Sequence, residues 1–262
     1  MAAISHDWAG DIENFVTYCG RFAPAFPDAI VGASETDIEN TQALAEIVFP
    51  PELKAFLSRM GRTPEDALNP FFANMLYGIE ALHAFYAEPP IPVPTDAIYL
   101  CTLNEDSESF LEVVGQSGSR RVLHFEWPVD SATGEFLDYG RTEHSMAASL
   151  LHFLYENAFI SLRNRLLPYR AELREQVEIA KPNEVQNQQR REEFRAIVEQ
   201  LGFSPVTYID RNPLAYDRGD TSLLLYSEEY AADIVKVRSQ DEKELAHLCE
   251  ILSDNLDMNI WR

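Results

Sequence analysis

Up to about residue 88 the apolar positions recur mostly at helical spacing, and between residues 97 and 127 they crowd into short β-rich runs. A short helix is predicted over Asp11–Tyr18, followed by a loop through Pro24 and Pro27. In "SETDIENTQALAEIVFP", Ser34 suits a helix N-cap and acids crowd the first turns, as the helix dipole favours. Ile38, Leu44, Ile47 and Val48 give a partial apolar stripe, which Pro50 should end. The next helix opens on Pro50 and Pro51, where a missing N–H costs nothing. Its Leu53, Phe56, Leu57 and Met60 fall on one face, and Gly61 is expected to close it in the left-handed conformation. A third helix should start after Thr63 and run through "NPFFANMLYGIEALHAFYAE" to Pro89.

After the stiff connector "PPIPVPTD" come three strand-like runs, "AIYLCTL" (97–103), "SFLEVVG" (109–115) and "RRVLHFEW" (120–127). The turns between them are short, which implies antiparallel hairpins. Alternation puts Val122, His124 and Glu126 on one face of the last run and Leu123, Phe125 and Trp127 on the other. The second set reads as core and the first as facing water. A helix is then expected over "EHSMAASLLHFLYENAFISL", with Met146, Leu150, Phe153, Leu154 and Phe159 packed across the sheet. Helices, a β-meander and a closing helix make residues 1–160 an α+β domain.

The charged stretch from Arg163 to Arg195 reads as a helix broken at Pro182 and the start of another. Strands at "VTYID", "SLLLYS" and "ADIVKV", a helix at "DEKELAHLCEILSDN" and a last strand at "MNIW" follow. Residues 161–262 thus form a smaller α-β-β-β-α unit, either a second domain or an extension of the first sheet.

Charge adds the first functional constraint. The chain has 43 acids against 21 bases, a formal net charge of −22. Such a surface repels phosphate backbones, which argues against direct binding of nucleic acid. It attracts a basic partner and speeds the encounter. Residues 1–160 carry 24 acids and 7 bases, whereas residues 161–262 carry 19 and 14. No Lys or Arg occurs from Thr63 to Ser119, so a partner-facing acidic surface belongs in the first part.

No stretch approaches the roughly 20 apolar residues of a membrane-spanning helix. The N-terminal residues lack both the basic lead and the apolar run of a signal peptide, so a cytoplasmic protein with no membrane partner is expected. Cys19, Cys101 and Cys249 are far apart and read as buried free thiols.

The acidic helix followed by Phe49-Pro50-Pro51-Glu52-Leu53-Lys54-Ala55-Phe56-Leu57 and Gly61 resembles the signature of the SUKH superfamily. That superfamily includes fungal cell-wall-synthesis regulators and bacterial toxin-immunity proteins. Its closing-helix pattern is similar to Ser149-Leu150-Leu151-His152-Phe153-Leu154. The likeness spans residues 35–158, although the family's small-Gly-Asp strand motif is absent between Ile98 and Trp127. The resemblance implies a non-enzymatic, cofactor-free binding protein whose partner is a cognate toxin domain, frequently a nuclease or another basic effector.

No recognisable catalytic motif stands in the sequence. No phosphate-binding glycine loop is present, and "GQSGS" has Ser119 where a nucleophile elbow needs glycine. His144, His152 and Glu156 fall at helical spacing that could present a metal pair, but lone helical histidines are more often packing or surface residues. "RGD" at Arg218–Asp220 reads as a polar turn. The expected partner-binding residues are Glu105, Asp106, Glu108 and Glu112 around the first hairpin, with His124 and Glu126. A regulatory scaffold of the same fold, and an enzyme with a site between the two parts, are the competing readings.

Overall fold

A computed structural model of the chain describes residues 6–62, 75–103, 107–113, 120–128, 130–134, 136–137, 141–175, 184–227 and 233–261. The fold is α+β, with helices and two antiparallel sheets divided between two compact units, Met1–Ala158 and Phe159–Arg262.

The first unit begins with helix α1 (Trp8–Gly20), whose Asp7 cap accepts from the Gly10 amide at 3.0 Å. Its Ile12, Phe15, Val16 and Cys19 are buried. A short helix α2 (Phe26–Ala29) follows. Helix α3 (Glu35–Ala45) carries a capping box in which Ser34 and Asp37 satisfy each other's backbone amides. It stops at Ala45, five residues before Pro50, because Glu46 turns left-handed. Of the expected stripe only Ile38 is buried, and Val48 is 80% exposed.

Helix α4 (Pro51–Met60) opens on proline as expected, and Leu53, Phe56, Leu57 and Met60 are each at most 2% exposed. Burying four such side chains contributes on the order of 2 kcal/mol each. Its end differs from the expectation. Gly61 has φ −70°, an ordinary right-handed value, so it is not a left-handed cap. The last carbonyls are instead bonded by distant segments. Leu57 O accepts from the Ala33 amide at 2.9 Å, and Gly61 O accepts from the Ile79 amide at 2.6 Å. Glycine is needed for the approach. A Cβ on Gly32 would stand 1.8 Å from Ser58 O, and one on Gly78, at φ +89°, would stand 2.5 Å from Gly61 O.

The expected third helix is shorter than its apolar pattern. Met75–Tyr77 forms strand β1, and helix α5 covers only Ile79–Ala87. Strands β2 (Ala97–Leu103), β3 (Ser107–Glu112) and β4 (Val122–Glu126) form the predicted meander. The helix expected from Glu143 begins only at Leu150. Thr142–Ala147 is strand β5, and Ser149 Oγ accepts from the His152 amide at 3.0 Å to start helix α6 (Leu150–Ala158). The sheet order is β1-β2-β3-β4-β5, all pairs antiparallel. Its centre is buried on both faces. Tyr99, Phe110, Leu123 and Phe125 occupy one face, and Ile98, Cys101, Leu111 and Val122 the other.

The second unit also departs from the helix expected after Arg163. A π-helical turn (Phe159–Arg163) and a 3-10 turn (Asn164–Leu166) lead to strand β6 (Tyr169–Glu175). Helix α7 (Glu184–Gln200) is followed by strands β7 (Ser204–Asp210), β8 (Leu214–Asp217), β9 (Thr221–Tyr226) and β10 (Ile234–Ser239). Helix α8 (Glu242–Leu256), capped by Asp241, and strand β11 (Met258–Trp261) end the described chain. The order β11-β6-β10-β9-β8-β7 makes a second antiparallel sheet rather than an extension of the first. Phe194 and Val198 of α7 and Leu245, Leu248 and Leu252 of α8 pack with Leu173, Leu223, Leu225, Val235 and Val237 of the sheet.

Candidate partner-binding surface

The register of β4 against β5 assembles the exposed end of the first sheet. His124 lies opposite His144, and Glu126 opposite Thr142. The two imidazole rings stack with centroids 6.3 Å apart, and Glu126 Oε2 is 3.6 Å from His144 Nε2. His124 Nδ1 donates to the Glu108 carbonyl at 3.0 Å, which fixes its ring. β5 is an outer strand of the sheet, and Thr142, Glu143, His144 and Ser145 are all exposed. Outer strands offer backbone donors and acceptors as well as side chains to a partner.

The expected residues do not share one face. Glu108 and Glu112 have the parity of Phe110, whereas His124 and Glu126 have the parity of Ser109, the residue opposite His124. Glu112 is moreover occupied within the chain. Arg121 donates to both of its carboxylate oxygens, at 2.8 and 3.3 Å, and reaches Glu143 at 2.9 Å. Those bonds hold the Glu112 carboxyl below its ordinary range. Val122, expected to face water, is fully buried: it lies opposite Leu111 on the face that also buries Ile98, so that end of the His124 face is core. Glu126 is the most exposed of the four described candidates, with its side chain 67% accessible. Glu105 and Asp106 lie outside the described residues.

Glu143 and His144 are part of this surface although their stretch reads as the start of a helix. The usable signal was Ser149, an N-cap residue just before the densest apolar run. The metal pair is dissolved by the same correction. His144 sits on strand β5, while His152 is buried on α6 at 3.6 Å from Glu156. Among the described residues no group of three His, Cys, Asp or Glu side chains is placed to hold a metal ion.

The remaining candidates are structural. Arg218 of "RGD" donates to Glu244 at 2.5 Å and to Leu201 O at 3.2 Å, so it holds a turn together. Cys19, Cys101 and Cys249 are buried, and burial pushes the Cys101 thiol up to about 12. In the second unit a pocket of about 240 Å³ is lined by Glu175, Arg190, Phe194, Asp233 and Met258 among others. Arg190 pairs there with Glu175 at 2.5 Å, and burial pushes the Asp233 carboxyl above its ordinary range.

The chain matches no protein-family model and no curated protein. No helix among the described residues is long and apolar enough to cross a membrane.

Proposed function

We propose that the chain is a cytoplasmic immunity protein of the SUKH type that binds and neutralises a cognate, basic toxin domain. The observation that carries the reading is the β4–β5 ladder, where Glu126, His124 and His144 stand together on one face of an outer strand pair. Glu143, bonded to Arg121 at 2.9 Å but with its side chain 40% accessible, is presented from the other face of the same outer strand. Acid side chains on both faces, with an exposed strand between them, suit a basic partner that adds its own main-chain contacts. The acid excess of the first 160 residues supports fast capture of such a partner. The order of helices, five-stranded meander and closing helix supports the resemblance drawn from Phe49–Leu57, Gly61 and Ser149–Leu154.

The first test is whether a toxin domain is encoded beside this gene, and the second is co-expression with that domain. Growth should be restored, and the two proteins should elute as one complex. Glu126→Lys combined with Glu143→Lys should slow association and weaken the complex about tenfold or more, with the loss shrinking as salt rises. Unchanged affinity at every ionic strength would remove this surface from the reading, and continued toxicity with the wild-type protein would end it.

A further inference from the structure

The second sheet has an open face opposite helices α7 and α8, and its charge is unlike the rest of the chain. Register places Asp217, Ser222, Arg238 and Arg170 in one row across β8, β9, β10 and β6. The next row is Ala215, Leu224, Lys236, Glu172 and Trp261, and the next includes Tyr226, Ile234 and Arg174. The β8–β9 half is covered. Arg163 donates to Asp217 at 2.8 Å, and Asn164 Oδ1 accepts from Ser222 at 2.7 Å. The β10–β6–β11 half is open, with Arg170, Arg174 and Lys236 exposed and Trp261 60% exposed.

Four cations therefore meet one acid, Glu172, which Arg174 already engages at 2.5 Å. Arg170 and Arg238 stand directly opposite each other, and neither has a carboxylate partner among the described residues. Like charges paired across strands destabilise a sheet. Burial, and the charge of Arg170, hold Arg238 below its ordinary value. In a chain with twice as many acids as bases, solubility does not call for this arrangement. Two side-by-side guanidinium forks suit an oxyanion that each can grip bidentately. Lys236 repeats the positive charge two residues along β10, about 6.6 Å away.

The aromatic rings narrow the class of anion. Arg174 lies over Trp261 at 5.4 Å and Lys236 over Tyr226 at 4.7 Å, so flat rings alternate with the cations. An acidic peptide would use the cations but has no need of an exposed indole. A single-stranded nucleic acid uses both, because every base offers a π-face. We propose that this face binds a short single-stranded nucleic-acid segment, with phosphates on Arg170, Arg238 and Lys236 and a base stacked on Trp261. The net charge of −22 argues against nucleic acid for the surface as a whole. At physiological salt, however, exposed charges beyond about 8 Å are largely screened, so the local cations decide.

The experiment needs only the isolated protein and no toxin, so it fails or succeeds separately from the immunity reading. Fluorescence anisotropy is measured with labelled single-stranded oligonucleotides of about 10 nucleotides, a length suited to such platforms. Binding should weaken with salt at a logarithmic slope of about −2, the value for three phosphate contacts. Arg170→Glu with Arg238→Glu should abolish it, and Trp261→Ala should weaken it about 5- to 100-fold. These side chains are exposed or half-buried, and an unchanged circular dichroism spectrum and melting temperature confirm that each variant folds. No binding at about 50 mM salt, or equal binding by Trp261→Ala, overturns the proposal. Equal affinity for a duplex of the same length or for polyglutamate does so too, the latter pointing to an acidic protein partner instead.

Discussion

Removing Arg120 should harm the first unit more than removing its partner Glu52. Glu52 lies in the first turn of α4 with its side chain only 3% exposed, and Arg120, just before β4, is 25% exposed. Arg120 Nη1 donates to Glu52 Oε1 at 2.7 Å, while Oε2 has no hydrogen-bond partner. At an effective dielectric of about 20, unit charges about 4 Å apart attract by roughly 4 kcal/mol. Desolvating the carboxylate costs several kcal/mol, so the intact pair is near neutral in net terms. The two deletions differ in what they leave behind. In Arg120→Ala a carboxylate stays buried without its counter-charge, which costs about 3–5 kcal/mol. In Glu52→Ala the arginine that remains is already in contact with water and keeps its bond to Val113 O at 3.1 Å. The expected cost is about 1–2 kcal/mol, mainly lost packing. Glu52→Leu combined with Arg120→Met should recover most of the loss. Thermal melts followed by circular dichroism read this directly, because a loss of about 4 kcal/mol lowers the midpoint by roughly 10 °C in a unit of this size. If both single variants lose equally, or each by under about 1 kcal/mol, the pair is not a buried link between α4 and the meander.

Arg163, 3% exposed, donates to both oxygens of Asp217 and to Gly219 O at 2.9 Å, so Arg163→Ala should destabilise the second unit by about 3–5 kcal/mol in urea titration; Arg163→Lys, without the planar fork, should restore little. Glu112 is held below its ordinary range by Arg121, so its stabilising contribution is complete above the unfolded value of about 4.3 and is lost as pH falls through the lower folded value. Urea midpoints across that acid range should therefore fall less steeply toward low pH in Arg121→Ala than in the wild type, and parallel curves would contradict the pairing. Cys19, Cys101 and Cys249 are buried, and burial raises the Cys19 and Cys101 thiols; an aromatic disulfide reagent at neutral pH should label none of the three until urea unfolds the protein.

Elements with one dominant signal were legible in the sequence. Helix α4 has a proline start and a single apolar stripe, and strands β2 and β4 are too β-rich to read otherwise. The misread elements carry two patterns at once. Strand β5, "TEHSMA", contains residues acceptable to a helix and runs directly into α6, so the two read as one. Strand β6 alternates Arg170, Glu172 and Arg174 with Ala171 and Leu173, yet it lies in a longer charged run where Arg174 and Glu178 fall at the i,i+4 spacing of a helix. Tertiary pairing decided both cases, through β4 for β5 and through β10 and β11 for β6. The candidate surface is half legible for the same reason: His124 and Glu126 lie on a strand that the sequence shows plainly, Glu143 and His144 on one that it disguises. For Glu112 the sequence gives no sign that Arg121 will pair with it.

The glycine-lined end of α4 limits how this chain could be divided or rebuilt. Ala33, Leu57, Gly61 and Ile79 hold one another through main-chain bonds that side-chain redesign cannot replace. A split-protein reporter cut between Arg62 and Met75 would place Ile79 on one fragment and its Gly61 acceptor on the other. Such fragments should reassemble only as fast as that junction re-forms. A circular permutant that leaves residues 31–79 continuous keeps the junction local, and it is the better scaffold for engineering.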